Sequence, residues 1–121
     1  MLIFEDLDFS TLPKSELGKL SRLYGYCSSH KSLSVAITAQ NWKEIPVPCR
    51  RISNVFIIWR IPDISSIKTL ASKCGLSTND ILEIFNTHIK NKHDSLWLDN
   101  TPDSPAPLRI NGYKVLKKNN E

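Results

Sequence analysis

The stretch CRRISNVFIIWRI, residues 49–61, decides which fold class the chain is expected to have. Cys49, Ile52, Val55, Phe56 and Trp59 recur at three- and four-residue steps and would line one face of a helix. The same segment carries a dense β-branched and aromatic run from Val55 to Ile61, which suits a buried strand equally well. Periodicity does not separate the two in so short an apolar run. The reading leans to helix, because a helix here would complete a three-helix unit with the two helical segments downstream of it.

Those segments lie in KTLASKCGLSTNDILEIFN, residues 68–86. Pro62 and Asp63 break the preceding element, and Asp63 or Ser65 can cap a helix over 65–74. Gly75 ends that helix, and Ser77 or Thr78 caps a second over 78–91. A helix-turn-helix needs a small residue where its helices meet, and Ala71 fills that place. Four residues on, the turn needs a residue that tolerates positive φ, and Gly75 is there. Leu70, Cys74, Leu76, Ile81 and Ile84 supply the apolar plug between the helices. The plain alternative is a helical hairpin with a glycine C-cap.

These residues resemble the first helix-turn-helix of the arabinose-regulator (AraC/XylS) family. Its pattern is leucine-alanine, glycine-leucine-serine, an apolar residue four beyond the serine, then an apolar-phenylalanine pair. Leu70-Ala71, Gly75-Leu76-Ser77, Ile81 and Ile84-Phe85 match it, within residues 67–86 only. The family's second helix-turn-helix has no counterpart, since the chain becomes proline-rich instead. The resemblance implies that the second helix reads the DNA major groove.

In a docked motif that helix would expose Ser77, Thr78, Asn79, Leu82, Glu83 and Asn86. Asn pairs bidentately with adenine, Ser and Thr contact phosphates or bases, and Glu accepts from cytosine N4. Asp80, in the first turn, favours the positive end of the helix dipole and needs no DNA to explain it. No arginine on this face takes guanine. Phosphate contacts are expected from Lys68 and Lys73 on the preceding helix, with Arg50 and Arg51 beside them. Arg60 is a further flanking cation, and Arg109, Lys114, Lys117 and Lys118 decorate a C-terminal hairpin.

The expected fold is mainly α: a helical bundle containing a tri-helical helix-turn-helix unit, with a small C-terminal β-hairpin as a candidate wing. Residues 1–12 form an apolar-acidic arm in which Leu2, Ile3, Phe4, Leu7 and Phe9 alternate loosely with acids. A helical domain spans 13–94, with the motif at 65–91. Pro13 suits a first turn, and Leu17, Leu20, Leu23, Tyr24 and Cys27 share a helical face. Leu33, Ala36, Ala39 and Trp42 would share another, although Val35 and Ile37 also permit a strand. Pro46 and Pro48 mark a connector. Residues 95–121 are a proline-rich loop and a hairpin, signalled by Asn111-Gly112 between alternating apolar residues.

Net charge is +4 over 121 residues, unevenly spread. Residues 1–16 sum to −3, residues 74–121 to zero, and residues 17–73 carry nine basic side chains against Glu44 and Asp63, a net +7. Such a block attracts a phosphate backbone at long range. No apolar run has the roughly 18 residues of a membrane span, and the acidic start is unlike a signal peptide. Cys27, Cys49 and Cys74 are an odd number without framework spacing, read as reduced thiols in a cytoplasmic protein. Cys27-x-x-His30 is a single short pair, where structural zinc sites show two. His88 and His93 fit the negative end of a helix dipole, and Trp42, Trp59 and Trp97 fit core packing. No catalytic constellation or phosphate-cradling glycine loop is present, so neither enzyme nor cofactor is expected. The functional expectation is a DNA-binding transcriptional regulator of bacterial, plasmid or phage origin, acting as a homodimer on double-stranded DNA. The alternative is a protein-interaction module (anti-activator, coactivator or adaptor) meeting its partner through the arm or the acidic face of the second motif helix.

Overall fold

Residues 49–61 divide at Ser53. A six-residue helix, Val47–Ile52, ends there, and a strand, Val55–Ile58, begins two residues later. In this computed structural model residues 1–5, 9–30, 32–61 and 63–117 are described, with only the backbone of Ser10, Cys27 and Ser28. Leu7, Pro62, Lys118 and the side chain of Cys27 lie outside the described residues. The chain forms two compact units, Met1–Ser53 and Asn54–Glu121.

The first unit contains strand β1 (Leu2–Phe4), helix α1 (Lys14–His30), strand β2 (Val35–Ile37) and helix α2 (Val47–Ile52). Single turns of 3₁₀ helix lie at Phe9–Thr11 and Trp42–Glu44. β1 pairs in parallel with β2, Ile3 opposite Ala36. The helical face expected through Leu33, Ala36 and Ala39 is therefore not formed, because the β-branched Val35 and Ile37 lie in an extended segment that pairs with residues 2–4. α1 and α2 meet where the Tyr24 hydroxyl and Ser53 Oγ are 2.6 Å apart and where Gly25 admits the Ile52 side chain. Phe9, Tyr24 and Cys49 are buried.

The second unit runs strand β3 (Val55–Ile58), helix α3 (Ile64–Lys73), helix α4 (Thr78–His88), then strands β4 (Leu96–Asp99), β5 (Leu108–Ile110) and β6 (Lys114–Val115). The four strands form one antiparallel sheet in the order β3-β4-β5-β6. Alternate residues Phe56, Ile58, Leu96, Leu98, Leu108 and Ile110 are buried on one face. Ile67, Leu70 and Ala71 of α3 and Ile81 and Phe85 of α4 are buried with them.

The mainly α expectation is thus overturned: the protein is mixed α and β, and no three-helix unit includes residues 55–61. β3 reads exposed-buried-exposed-buried, the two-residue period of a strand. Its partner is LWLD, with Phe56 opposite Leu98 and Ile58 opposite Leu96. That segment lies some forty residues downstream, so local periodicity carries no trace of it. The hairpin forms as its Asn-Gly signal predicts, with Asn111 and Gly112 at positive φ of 54° and 79°.

Candidate nucleic-acid interface

The motif begins with Asp63, whose carboxylate accepts the Ser65 N–H at 3.1 Å and caps α3. At the other end Gly75 takes φ 66°, and the Leu76 N–H reaches back to the Ala71 carbonyl at 2.9 Å. Ala71 and Leu70 are buried beneath the crossing, as the motif requires, and Cys74, Leu76 and Ile84 are half-buried around it. α4 opens with a capping box. Ser77 Oγ accepts the Asp80 N–H at 3.0 Å, and Asp80 Oδ2 accepts the Ser77 N–H at 2.8 Å. Asp80 therefore starts a helix, and its carboxylate is held at the helix end. Ser77 keeps its hydroxyl hydrogen to donate outward.

The outward side of α4 presents Asn79, Glu83 and Asn86, all exposed, with Thr78 and Leu82 half-buried at its margin. The Asn86 carbonyl accepts Lys90 Nζ at 2.7 Å. Glu83 has no ion-pair partner among the described residues. Lys68 and Lys73 are exposed on α3, in the same unit.

The other cations named from the sequence have contacts of their own. Arg50 and Arg51 belong to the first unit. Arg50 is half-buried there, donating Nε to the Ile45 carbonyl at 2.9 Å and lying 5.3 Å from the centre of the Trp42 ring. Arg60 caps the far end of α4: its Nη2 donates to the carbonyls of Phe85 at 2.8 Å and Ile89 at 3.1 Å. The dipole argument gives that place to His88, which is only half-buried in the last turn. Arg109 lies over the Trp97 ring and beside Asp99 at 3.6 Å. No arginine of the second unit is thus directed at the α4 face.

The hairpin turn also lies away from the start of α4, where a wing was expected. Asn111 exchanges hydrogen bonds with Ser95 and donates Nδ2 to Asp94 Oδ1, so the 111–113 turn is anchored just beyond the C-terminal end of α4. An eleven-residue helix is about 16 Å long, which separates this turn from Asn79. The segment that reaches the end of α3 is instead Asn100, which opens the loop 100–107. Asn100 Nδ2 donates to the Lys73 carbonyl at 3.2 Å and approaches Cys74 Sγ at 3.5 Å. The loop is shaped by Asp99, which accepts the Thr101 N–H and the Ser104 hydroxyl. It carries Asp103 and no cation. The Asx-turn texture of DNTPDS is the local signal for its shape. Its position beside Lys73 depends on β3 pairing with β4, which no local pattern foreshadows.

Burial pushes the Cys74 and Cys49 thiols above their usual range, which disfavours their thiolate forms. Among the described residues no three His, Cys, Asp or Glu side chains gather into a cluster able to hold a metal ion. The tryptophans are not core residues: Trp59 is 53% exposed, and Trp42 and Trp97 are half-buried. Among the described residues no helix is long and apolar enough to cross a membrane. No protein-family model matches the chain, and no curated protein and no solved structure is significantly similar to it.

Proposed function

We propose that residues 64–88 bind duplex DNA as a helix-turn-helix, with α4 in the major groove, and that the chain is a cytoplasmic transcriptional regulator of bacterial, plasmid or phage type. One observation carries the reading. The α3–α4 pair has the buried Ala71, the positive-φ Gly75 and a capped α4 whose outward face is polar and open. Asn79 and Asn86 can each read adenine, Glu83 can accept from cytosine, and Lys68 and Lys73 can position the backbone. The likeness of residues 67–86 to the first arabinose-regulator motif points the same way.

Selection from a randomised duplex library at low salt, followed by anisotropy titrations on the enriched site, tests this. Asn79→Ala is expected to weaken specific binding by about 1–3 kcal/mol and relax one position of the site. Lys68→Ala is expected to weaken all sequences alike and lower the salt slope by about 1. Arg60→Ala, which loosens the end of α4, should lower stability by about 1–2 kcal/mol without altering that slope. A library that yields no enriched duplex even at low salt excludes the reading.

A second reading has its own support. Arg60 and Arg109 are directed at the fold, while Glu83 adds acid on the exposed face of α4. A protein partner with a basic surface fits that balance. Recovery of a stoichiometric basic partner, released by Glu83→Lys, would favour it over DNA.

A further inference from the structure

The outward face of α4 lacks cations of its own, and a group of them gathers at one end of it. α4 ends at His88, and Lys90 turns back on the last turn, its Nζ 2.7 Å from the Asn86 carbonyl. The chain there is folded around Asp94. Its carboxylate accepts the N–H groups of Lys90 and Asn91 at 3.1 and 2.9 Å, and Asn111 Nδ2 at 3.0 Å. The Asn111 N–H donates to the Ser95 carbonyl at 2.9 Å as well. Residues 90–94 and the turn 111–113 are thereby held together, and Lys114 opens β6 just beyond that turn. Lys90, Lys92, His93, Tyr113 and Lys114 are all exposed around this anchor, Tyr113 to 79%. Asp94 is the one acid in either segment, and both its oxygens are engaged by those N–H donors. The three lysines form no ion pair among the described residues.

An exposed patch of lysines around one engaged carboxylate attracts an anion, and its place in the fold fits a particular one. α4 is about 16 Å long. The major groove is about 12 Å wide and is walled by phosphate on both sides. A helix laid across it brings both of its ends to phosphate. Lys68 and Lys73 belong to α3, which leads into the start of α4, and the 90–93 and 113–114 side chains lie at the other end. Resting on the proposed DNA-binding role of α3 and α4, we propose that Lys90, Lys92 and Lys114 hold the phosphate backbone at the second wall of the groove, with the Tyr113 hydroxyl donating beside them.

Specificity and attraction then come from different places. The face of α4 carries Asn79, Glu83 and Asn86, which discriminate bases and bring one negative charge. Cations at both ends of the helix supply the sequence-independent attraction that such a face lacks. Lys90 has a second duty: an ammonium carries three N–H donors, and one of them already serves the Asn86 carbonyl. The Lys92 and Lys114 side chains bond no group among the described residues, so they report on the phosphate contact alone.

Anisotropy titrations of the full chain on a duplex enriched from a randomised library, repeated at several salt concentrations, test the contact. Lys92→Ala and Lys114→Ala are each expected to lower the salt slope by about 1 and to leave the base preference as it is. Combined, they should lower it by about 2. Lys14→Ala, which removes the same charge from α1 of the first unit, is expected to leave the slope unchanged. All three positions are exposed, and unchanged circular dichroism and melting would verify that the variants fold. A wild-type slope in either Lys92→Ala or Lys114→Ala, on a duplex that still binds, overturns the inference and leaves the DNA-binding role standing. An equal fall in Lys14→Ala would assign the effect to net charge and overturn it too. So would saturable binding of a single-stranded oligonucleotide that is lost in Lys92→Ala while duplex binding is kept. A library that yields no enriched duplex removes the proposed function and this contact with it.

Discussion

Two glycines show how a single residue can be legible in sequence and yet differ in what it holds. Gly75 and Gly112 both sit at positive φ, 66° and 79°. A Cβ at Gly75 would meet nothing within 4 Å, so its cost is that of the backbone alone. A Cβ at Gly112 would lie 3.1 Å from Cζ2 and 3.2 Å from Cε2 of Trp97. Gly75→Ala is therefore expected to lower stability by about 1 kcal/mol, and Gly112→Ala by about 2 kcal/mol or more, since the indole must also move. Urea denaturation of the two variants checks this; equal losses would mean that the Trp97 contact is irrelevant. The positive φ at each place follows from local pattern, a motif turn and an Asn-Gly pair. The indole over Gly112 does not. Asp80 is readable in the same local way, as a first-turn carboxylate. Arg60 is not, because its acceptors at Phe85 and Ile89 lie 25 and 29 residues away.

At the scale of elements, signals confined to a few residues translate into structure and signals shared between segments do not. The capping box of α4, the Asp63 cap of α3 and the β5–β6 turn each arise from side chains within three residues of the backbone they serve. β3 and β4 are defined by each other, and LWLD alone is too short to declare itself. Loops after the elements depend on two carboxylates. Asp94 accepts the Asn91 N–H, the Asn111 amide and the Lys90 N–H, led by Asn91, which together hold it below the usual carboxylate range. Asp99 is held low chiefly by Thr101, and further by Ser104 and Arg109. A carboxyl whose native pKa is depressed stabilises the fold fully above its ordinary value near 4. That contribution is lost as pH falls from there through the lower native value. Stability should thus decline below about pH 4, and the decline should be shallower in Asp94→Asn with Asp99→Asn. Denaturation midpoints at neutral and acidic pH measure it; an identical decline in the double variant would assign acid sensitivity elsewhere.

For the whole molecule, the distribution of the core matters most. Among the described residues twelve buried apolar side chains lie in Asn54–Glu121, against Phe9, Tyr24 and Cys49 in Met1–Ser53. The larger core predicts slower opening. In native-state hydrogen exchange, amides of β3, β4 and α4 should be the last to exchange, and those of β1 and β2 should exchange well before them. Protection of the β1–β2 pair equal to that of β3–β4 would contradict this ordering. The candidate site divides along the same line. Lys68, Lys73, Ser77, Thr78, Asn79, Glu83 and Asn86 lie together on α3 and α4, while Arg50 and Arg51 belong to the other unit. The sequence by itself determined the two motif helices, the glycine turn and the hairpin, and narrowed each cap to two residues, because each follows from contacts within a turn or two of chain. Only the tertiary structure decided that residues 55–58 are a strand, that Arg60 and Arg109 serve the fold, and that Asn100 meets the end of α3. The physical reason is that β pairing and long-range side-chain hydrogen bonds are specified by partners dozens of residues away, which no local period records.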